Sequence, residues 1–349
     1  MRKIPFAPAA IAAVFAMTAF LTSAEVEWDW GSAPSEVRDH SWRINAGSIL
    51  SIDGTVDETF RSYYKATGQN DKQSLAESYS LDDFDVKGPY GMLGFQYDRQ
   101  WNFFAFKWEM MFFKMSSDAV ASRNYYVGVG DDVSYGGRDY DHMVIPEGSD
   151  FSIDIFGAMT DFMFSFTPFT FHYGDYVSLT PSIDAGLMLL GGRYEIDAGA
   201  PRGTTVYQNP PVDFVIGGDS ASIVGAGAPE IGLGATLRVG SEDMVQWVTH
   251  ASIGYFSYSG STKPFTSASH REKDLDVKYL SLMVETGWRF PLRSGCAISL
   301  GGQLRMITLD GSIKSKYTDD EDVIRARERF DKDIDLDMVT ALVFLGFEY

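Results

Sequence analysis

The chain has 349 residues, 48 acidic against 29 basic side chains and a formal net charge of −19. This charge disfavours binding to nucleic acid, because two polyanions repel each other. The one cysteine, Cys296, excludes an intramolecular disulfide framework and a cysteine metal cluster. By length the chain could hold two soluble domains, but no linker, low-complexity tract or shift of composition divides it.

The first 24 residues have the order of a secretory signal. Arg2 and Lys3 precede a mainly apolar run over residues 4–21, and small residues follow as far as Ala24. A basic head, a short apolar middle and a small-residue exit are typical of a signal peptide, whereas the run is short and interrupted by proline for a membrane span. We expect export through the Sec pathway, cleavage after Ala24 and one mature domain over residues 25–349. An uncleaved anchor is the alternative.

Ten segments after the signal show the period of a β-strand. In "YVSLTPSIDAGLMLL", apolar residues from Val177 to Leu189 alternate with mainly polar ones, so that one face of the strand is apolar. Such strands are long enough to cross a bilayer, which takes about 9–11 tilted residues. The predicted strands span residues 41–53, 85–98, 101–115, 150–166, 175–191, 229–240, 244–259, 274–290, 295–310 and 333–349.

The connections between these strands alternate in length. Long acidic or Gly-rich stretches follow strands one, three, five, seven and nine, while short stretches such as "SED" and "PLRSG" follow the even strands. Even strand number, short periplasmic turns and long outer loops are typical of bacterial outer-membrane barrels. We therefore predict an all-β fold, a transmembrane antiparallel up-and-down β-barrel of ten strands with long extracellular loops, integral to the outer membrane.

The polar face of the strands would line the barrel lumen. It carries both charge signs, and because a buried charge needs a partner we expect salt bridges there rather than a path for diffusion. Ten strands lie near the size at which side chains fill the lumen, so a small-solute channel is the least favoured function. The inward candidates are Lys107, Glu109, Asp184, Glu230, Arg238, Glu285, Arg289, Gln303 and Arg305.

The chain ends on a strand, "ALVFLGFEY", whose apolar residues share one face. An exposed apolar edge would favour aggregation, so we expect this face to meet outer-membrane lipid and the strand to pair with the first. A terminal aromatic, Tyr349, also resembles the signal that outer-membrane assembly machinery recognises. We expect a monomer.

Three short stretches resemble the omptins, a family of ten-stranded outer-membrane endopeptidases. They are "FDVKG" (84–88) with Tyr97 and Asp98 downstream, "APEIGLGATLR" (228–238), and "YSG" (258–260) followed by His270. The resemblance implies an Asp-x-Asp pair in the second outer loop and an Asp-x-His dyad in the fourth, facing each other across a cleft.

The residues that match this implied site are incomplete. "GGRDYDHM" offers Asp139 and Asp141 as the pair, and "SASH" offers His270, but Ala268 stands where the dyad aspartate belongs. A histidine that activates water works better when a carboxylate fixes its tautomer. Another acid, such as Glu272 or Asp274, would have to replace the missing aspartate. We therefore expect a non-catalytic surface or structural protein. The alternative is a cell-surface endopeptidase that activates water with His270 and Asp139/Asp141.

The sequence has no motif for a cofactor or a metal. GxSxG, P-loop, HExxH and dinucleotide-binding patterns are absent, and we expect no cofactor. The omptin resemblance implies a contact with lipopolysaccharide, for which the basic loop residues Arg138, Lys263, Arg271 and Lys273 are possible phosphate ligands.

Overall fold

The computed structural model describes residues 27–30, 40–66, 69–101, 103–208, 211–241, 243–262, 273–292, 295–315 and 329–349. This part of the chain is almost entirely β-structure. No helix within it has the length and apolar character needed to cross a membrane. The signal peptide predicted over residues 1–24 lies outside the described ranges and stays a prediction.

The described residues form seventeen strands and one short 3₁₀ turn. They are β1 (Glu27–Trp30), β2 (His40–Ala66), β3 (Gln69–Ser80), the turn η1 (Leu81–Phe84), β4 (Tyr90–Trp101), β5 (Phe104–Val120), β6 (Tyr125–Tyr135), β7 (Arg138–Ile145), β8 (Asp150–Phe166), β9 (Phe169–Tyr173), β10 (Val177–Asp197), β11 (Thr204–Gln208), β12 (Pro211–Ile216), β13 (Asp219–Val239), β14 (Gln246–Thr262), β15 (Lys273–Pro291), β16 (Ala297–Ser315) and β17 (Arg329–Glu348).

The long strands close into an antiparallel barrel. The ring runs β2, β4, β5, β8, β10, β13, β14, β15, β16, β17 and back to β2, with β8 paired to β10 and β17 paired to β2. The antiparallel barrel is confirmed. The predicted count of ten does not describe all of the strands, because seven others lie outside the ring: β1, β3, β6, β7, β9, β11 and β12.

Several barrel strands extend beyond their predicted bounds at the long-loop end. β2 continues to Ala66, and β10 and β13 pair as far as Asp197 and Asp219. Outside the membrane both faces of a strand can be polar, so the alternation that reveals a strand in the sequence disappears there. Backbone pairing continues without it.

The first and last strands are joined along a continuous seam. The pairing of β2 with β17 runs from Ser41–Glu348 to Arg61–Arg329, with one irregularity between Val339 and Thr340. The backbone N–H of Tyr349 donates to the His40 carbonyl at 3.1 Å, and the two rings stack with centroids 5.5 Å apart. The terminal strand therefore presents no free edge at this seam.

The outer face of the barrel carries an apolar belt. Ile44, Leu93, Ile231, Leu233 and Val343 lie on four strands of the ring and are each at least 60% exposed. The other six ring strands also carry apolar side chains that are more than half exposed: Phe104, Phe164, Ile183, Tyr255, Trp288 and Leu300. Exposed apolar side chains on every side of a barrel indicate that hydrocarbon surrounds it.

Two hydroxyl groups within this belt accept hydrogen bonds from neighbouring tryptophans. The Trp108 indole N–H donates to Thr160 Oγ1 at 3.0 Å, and the Trp247 indole N–H donates to Thr286 Oγ1 at 2.8 Å. An unsatisfied polar group in hydrocarbon costs several kcal/mol, so these pairs suit a lipid-facing surface.

The belt ends where outward positions become acidic. Asp310 lies opposite Asp335, and Asp337 lies opposite Asp53, on β16, β17 and β2. Carboxylates on the lipid side of a barrel are unfavourable, so this row marks the upper limit of the hydrocarbon contact.

The lumen next to the long-loop end is filled by apolar side chains. Six methionines, each at most 5% exposed, pack there with Ile49 and Phe113, and Val86 joins them from the turn after η1. Flexible thioether side chains fill irregular space well. We call this group the methionine layer; its six members are Met92, Met111, Met115, Met159, Met188 and Met338.

The belt makes a direct prediction about lipid exposure. Replacing Leu233 with arginine should destabilise the barrel in lipid vesicles by about 2–4 kcal/mol, because a cation would then face hydrocarbon. Thr55→Arg, outward-facing but opposite Asp335 beyond the belt, is the matched control and should cost about 0–1 kcal/mol. Urea unfolding in vesicles measures both, and equal costs would contradict the belt.

Candidate functional site

Two of the long connections fold into a small sheet at the long-loop end. β6 and β7 come from the connection between β5 and β8, and β11 and β12 come from that between β10 and β13. The order is β11-β12-β7-β6, with Val215 of β12 beside Met143 of β7 in a parallel pair. Met143, Phe214 and Val215 are fully buried. We call these four strands the loop sheet.

Aromatic rings join the loop sheet to the barrel rim. Tyr125 of β6 packs against Phe84 of η1 and Phe151 of β8, with ring centroids 5.6 and 6.3 Å apart. Arg123 lies over the Tyr125 ring and donates to Glu77 Oε2 at 2.8 Å, and this hydrogen bond raises the pKa of Arg123 above its ordinary value. The hydrogen bond from Arg123 and the aromatic contacts of Tyr125 therefore fix the loop sheet to the rim.

The predicted pair Asp139 and Asp141 lies on β7 of the loop sheet. The two side chains are two residues apart, on one exposed face of the strand. Asp139 Oδ1 accepts a hydrogen bond from Ser134 Oγ on the neighbouring strand. His142 lies on the opposite face, with its ring 5.5 Å from Phe214.

The partner predicted for this pair falls outside the described residues. His270, Ala268 and Glu272 lie within residues 263–272, for which the structure gives no placement, and β15 begins only at Lys273. The structure therefore places half of the predicted catalytic site at an exposed rim position. Its role in catalysis stays a prediction.

Of the four basic residues considered for phosphate contacts, one has a described side chain. Arg138 donates to Asp213 Oδ2 at 2.8 Å and lies over the Tyr140 ring. Lys263 and Arg271 are outside the described ranges, and Lys273 is described only as a strand position. Arg138 is therefore held by an acid on the loop sheet.

An acidic groove lies beside η1 at the rim. Its volume is about 810 Å³, and it lies between η1 and the ends of β5, β8 and β10. Its carboxylates add to the strong negative field of the chain, which repels polyanions from this end. The acids lining it are Asp82, Asp83, Asp85, Asp118, Asp150 and Asp197.

A buried ionic layer crosses the lumen below the methionine layer. Arg305, 2% exposed, lies 2.9 Å from Asp161, 3.7 Å from Glu109 and 3.9 Å from Glu230. Its guanidinium also donates to Tyr279 OH at 3.2 Å. One cation thus serves three carboxylates from three other strands.

Further ion pairs lie between this layer and the short turns. Arg43 pairs with Glu285, and its Nε lies 3.9 Å from Asp98 Oδ2. Arg289 Nε donates to Glu348 Oε2 at 2.7 Å. The expectation that inward charges form salt bridges is confirmed for these residues.

On the short-turn side of Arg305 the lumen widens into a polar cavity of about 770 Å³. We call it the vestibule. Turn residues such as Gly174, Tyr176 and Gly295 line its outer end, so it lies at the short-turn mouth. One wall, from β8, β10, β13 and β14, includes several small residues: Ser165, Thr180, Ser182, Thr236 and Ser252.

Four lumenal residues of this region are not among the inward candidates predicted from the sequence. Arg43, Asp98, Asp161 and His250 all line the vestibule. The sequence does contain an indication that Asp161 faces inward. It is the one charged residue in "GAMTDFMFSF", and it lies an even number of residues from the other inward residues of β8. Its charge and the alternation of inward and outward positions along the strand together predict this placement.

No protein-family model and no curated protein matches the chain. Among solved structures the chain is similar to the outer membrane protease OmpT from Escherichia coli, with 10% identity, 91% of this chain and 100% of that chain covered, and a TM-score of 0.40. The transport unit of the autotransporter AIDA-I from Escherichia coli is also similar, with 7% identity, 86% and 90% covered, and a TM-score of 0.29.

A third similar structure is a Pseudomonas aeruginosa FadL homologue, with 7% identity, 91% and 97% of the two chains covered, and a TM-score of 0.24. OmpT is an omptin, the family that the sequence resembles. At these identities the likeness concerns the fold and assigns no activity to this chain.

The ionic layer predicts a large effect of removing its cation. Arg305→Met keeps a side chain of similar length but leaves three buried carboxylates without their base, and should cost about 3–5 kcal/mol of stability. Arg138→Met, which breaks the exposed pair with Asp213, should cost about 0–1 kcal/mol. Denaturant midpoints of the refolded barrel compare the two, and equal losses would mean that the layer is not held by charge.

Proposed function

We propose that this chain is an integral outer-membrane β-barrel that acts as a surface protein and not as a solute channel, with the loop sheet as the surface it presents outside. The observation that carries this proposal is the closed lumen. Terminal Tyr349 on the last barrel strand supports recognition by the outer-membrane assembly machinery.

Two successive layers separate the vestibule from the long-loop end. The ionic layer around Arg305 lies below the methionine layer, whose members are at most 5% exposed. A hydrated ion entering from the vestibule would have to lose its water among apolar side chains, which is unfavourable. The barrel therefore acts as a filled scaffold that supports the loop sheet and does not conduct ions.

The long connections are folded in a way that suits presentation. β6 and β7 pair over most of their length, β11 pairs with β12, and Phe214 and Val212 give the loop sheet a core of its own. The exposed face of β7 carries Asp139 and Asp141, and the acidic groove lies nearby on the rim. A partner of this surface would be cationic or uncharged, since like charges repel.

A second candidate function, peptide hydrolysis, is favoured by the position of the Asp139 and Asp141 pair. The pair is exposed to water on a strand that is held by its neighbours, so a peptide at the rim could reach it. Against this, Ala268 stands where the resemblance to omptins implies an orienting carboxylate. We therefore place hydrolysis second.

Planar-bilayer conductance tests the closed lumen. The reconstituted barrel should give no stable current steps, and neither should a variant in which short turns replace β6, β7, β11 and β12, because the methionine layer remains. Combining that variant with Met111→Ser and Met159→Ser should introduce conductance. Large stable steps from the unchanged protein would overturn the proposal.

A fluorogenic peptide assay decides between the two functions. As a surface protein, the refolded barrel should cleave no faster than a heat-denatured sample. A peptidase would lose about 10²–10⁴-fold of its rate in His270→Ala, as expected for a general base, and would respond to Asp139→Asn. Asp154→Asn, an exposed acid on β8, is the matched control. The second proposal would replace the first if the barrel hydrolyses the peptide, if His270→Ala and Asp139→Asn abolish this activity, and if Asp154→Asn preserves it.

A further inference from the structure

The vestibule contains a preformed polar site that the proposed function does not use. We infer that Asp184 and Ser182, on the inner face of β10, bind the ammonium group of a small primary aliphatic amine that enters from the short-turn mouth. This site is at the opposite end of the barrel from the loop sheet, and the inference does not depend on the proposed surface function.

Asp184 is a buried carboxylate that forms no ion pair within the described part of the chain. It is 3% exposed, its Oδ1 has no hydrogen-bond partner, and no base in the described part of the chain forms an ion pair with it. Ser182, two residues away on the same face, is 7% exposed, and its Oγ also has no partner among the described residues. Burying an unpaired carboxylate is costly, so this pair of oxygens favours a cation.

The neighbouring bases contact groups other than Asp184. Lys107, which also lines the vestibule, donates from Nζ to Met283 Sδ at 3.5 Å. Arg305 serves Asp161, Glu109 and Glu230, while Arg43 serves Glu285 and lies near Asp98.

The nearest histidine does not neutralise Asp184 either. His250 shares a hydrogen bond with Thr236 Oγ1 through Nδ1 at 3.0 Å, and in the described structure it forms no ion pair with Asp184. The carboxylates on this side of the lumen therefore outnumber the cations that contact them.

The space beside these oxygens depends on a glycine. A Cβ atom added at Gly234 would lie 2.5 Å from Ser182 Oγ, 2.7 Å from Asp184 Oδ2 and 3.2 Å from His250 Cε1. Any larger residue at this position would occupy the space into which both oxygens point. The space opens into the vestibule, whose volume of about 770 Å³ leaves room for an aliphatic chain.

The donor set selects the class of cation. An ammonium group has three N–H donors, which one carboxylate and the hydroxyls of Ser182 and its neighbours can accept. Divalent metals need more charged ligands, and within the described residues no group of three or more acidic, histidine or cysteine side chains is placed to hold a metal. A monoammonium end group therefore fits this site best.

Titration calorimetry of the refolded barrel with putrescine tests the site, with 1,4-butanediol as the uncharged analogue. We expect saturable binding of putrescine and none of butanediol. Asp184→Asn should weaken binding at least tenfold. Gly234→Ala should do the same, because it fills the space and keeps every charge. Asp154→Asn, the same substitution at an exposed acid on β8 outside the vestibule and the acidic groove, is the matched control and should change binding less than twofold.

A second readout separates binding from general damage to the fold. Without putrescine, Asp184→Asn should unfold at a higher urea concentration than the unchanged barrel, because it removes an unpaired buried charge, and putrescine should stabilise only the unchanged barrel. Heat-modifiable gel mobility shows whether each variant has refolded. If Asp184→Asn does not refold, the comparison of Gly234→Ala with the unchanged barrel tests the inference. Absence of binding, or equal affinity in the unchanged barrel and Gly234→Ala, would overturn the inference.

Discussion

The constraint on which the rest of this structure depends is that hydrocarbon surrounds the middle of the barrel. Hydrocarbon offers no hydrogen bonds, so every backbone group there must be paired, and a sheet can satisfy this only by closing on itself. The seam between β2 and β17 is the outcome of that requirement. It also explains why the chain can end on an exposed aromatic, Tyr349, which would be unfavourable in water.

The same constraint moves the polar residues inward. A soluble domain buries its apolar side chains and exposes its charges, whereas this barrel exposes Leu233 and Val343 and buries Glu109, Asp161 and Arg305. A small lumen brings these charges close together, so salt bridges between distant strands take over part of the role of a hydrophobic core. The methionine layer completes the filling only on the long-loop side.

The two ends of the barrel therefore differ in what they can do. The long-loop end is closed by packed side chains and covered by a folded sheet, which suits contact with large partners at a surface. The short-turn end opens into the vestibule, where small side chains such as Thr180 and Ser182 leave room for a small molecule. One scaffold thus offers two separate places for recognition.

The sequence by itself determined the antiparallel strands, the outward face of each and the alternation of long and short connections. Period two over segments such as 175–191 follows from local geometry together with the two solvents on either side of the sheet. Tertiary structure alone decided that β12 pairs with β7, that Arg305 contacts acids from three other strands, and that no base among the described residues pairs with Asp184. Those contacts join residues far apart in the chain and depend on strand register and barrel closure, which no local pattern encodes.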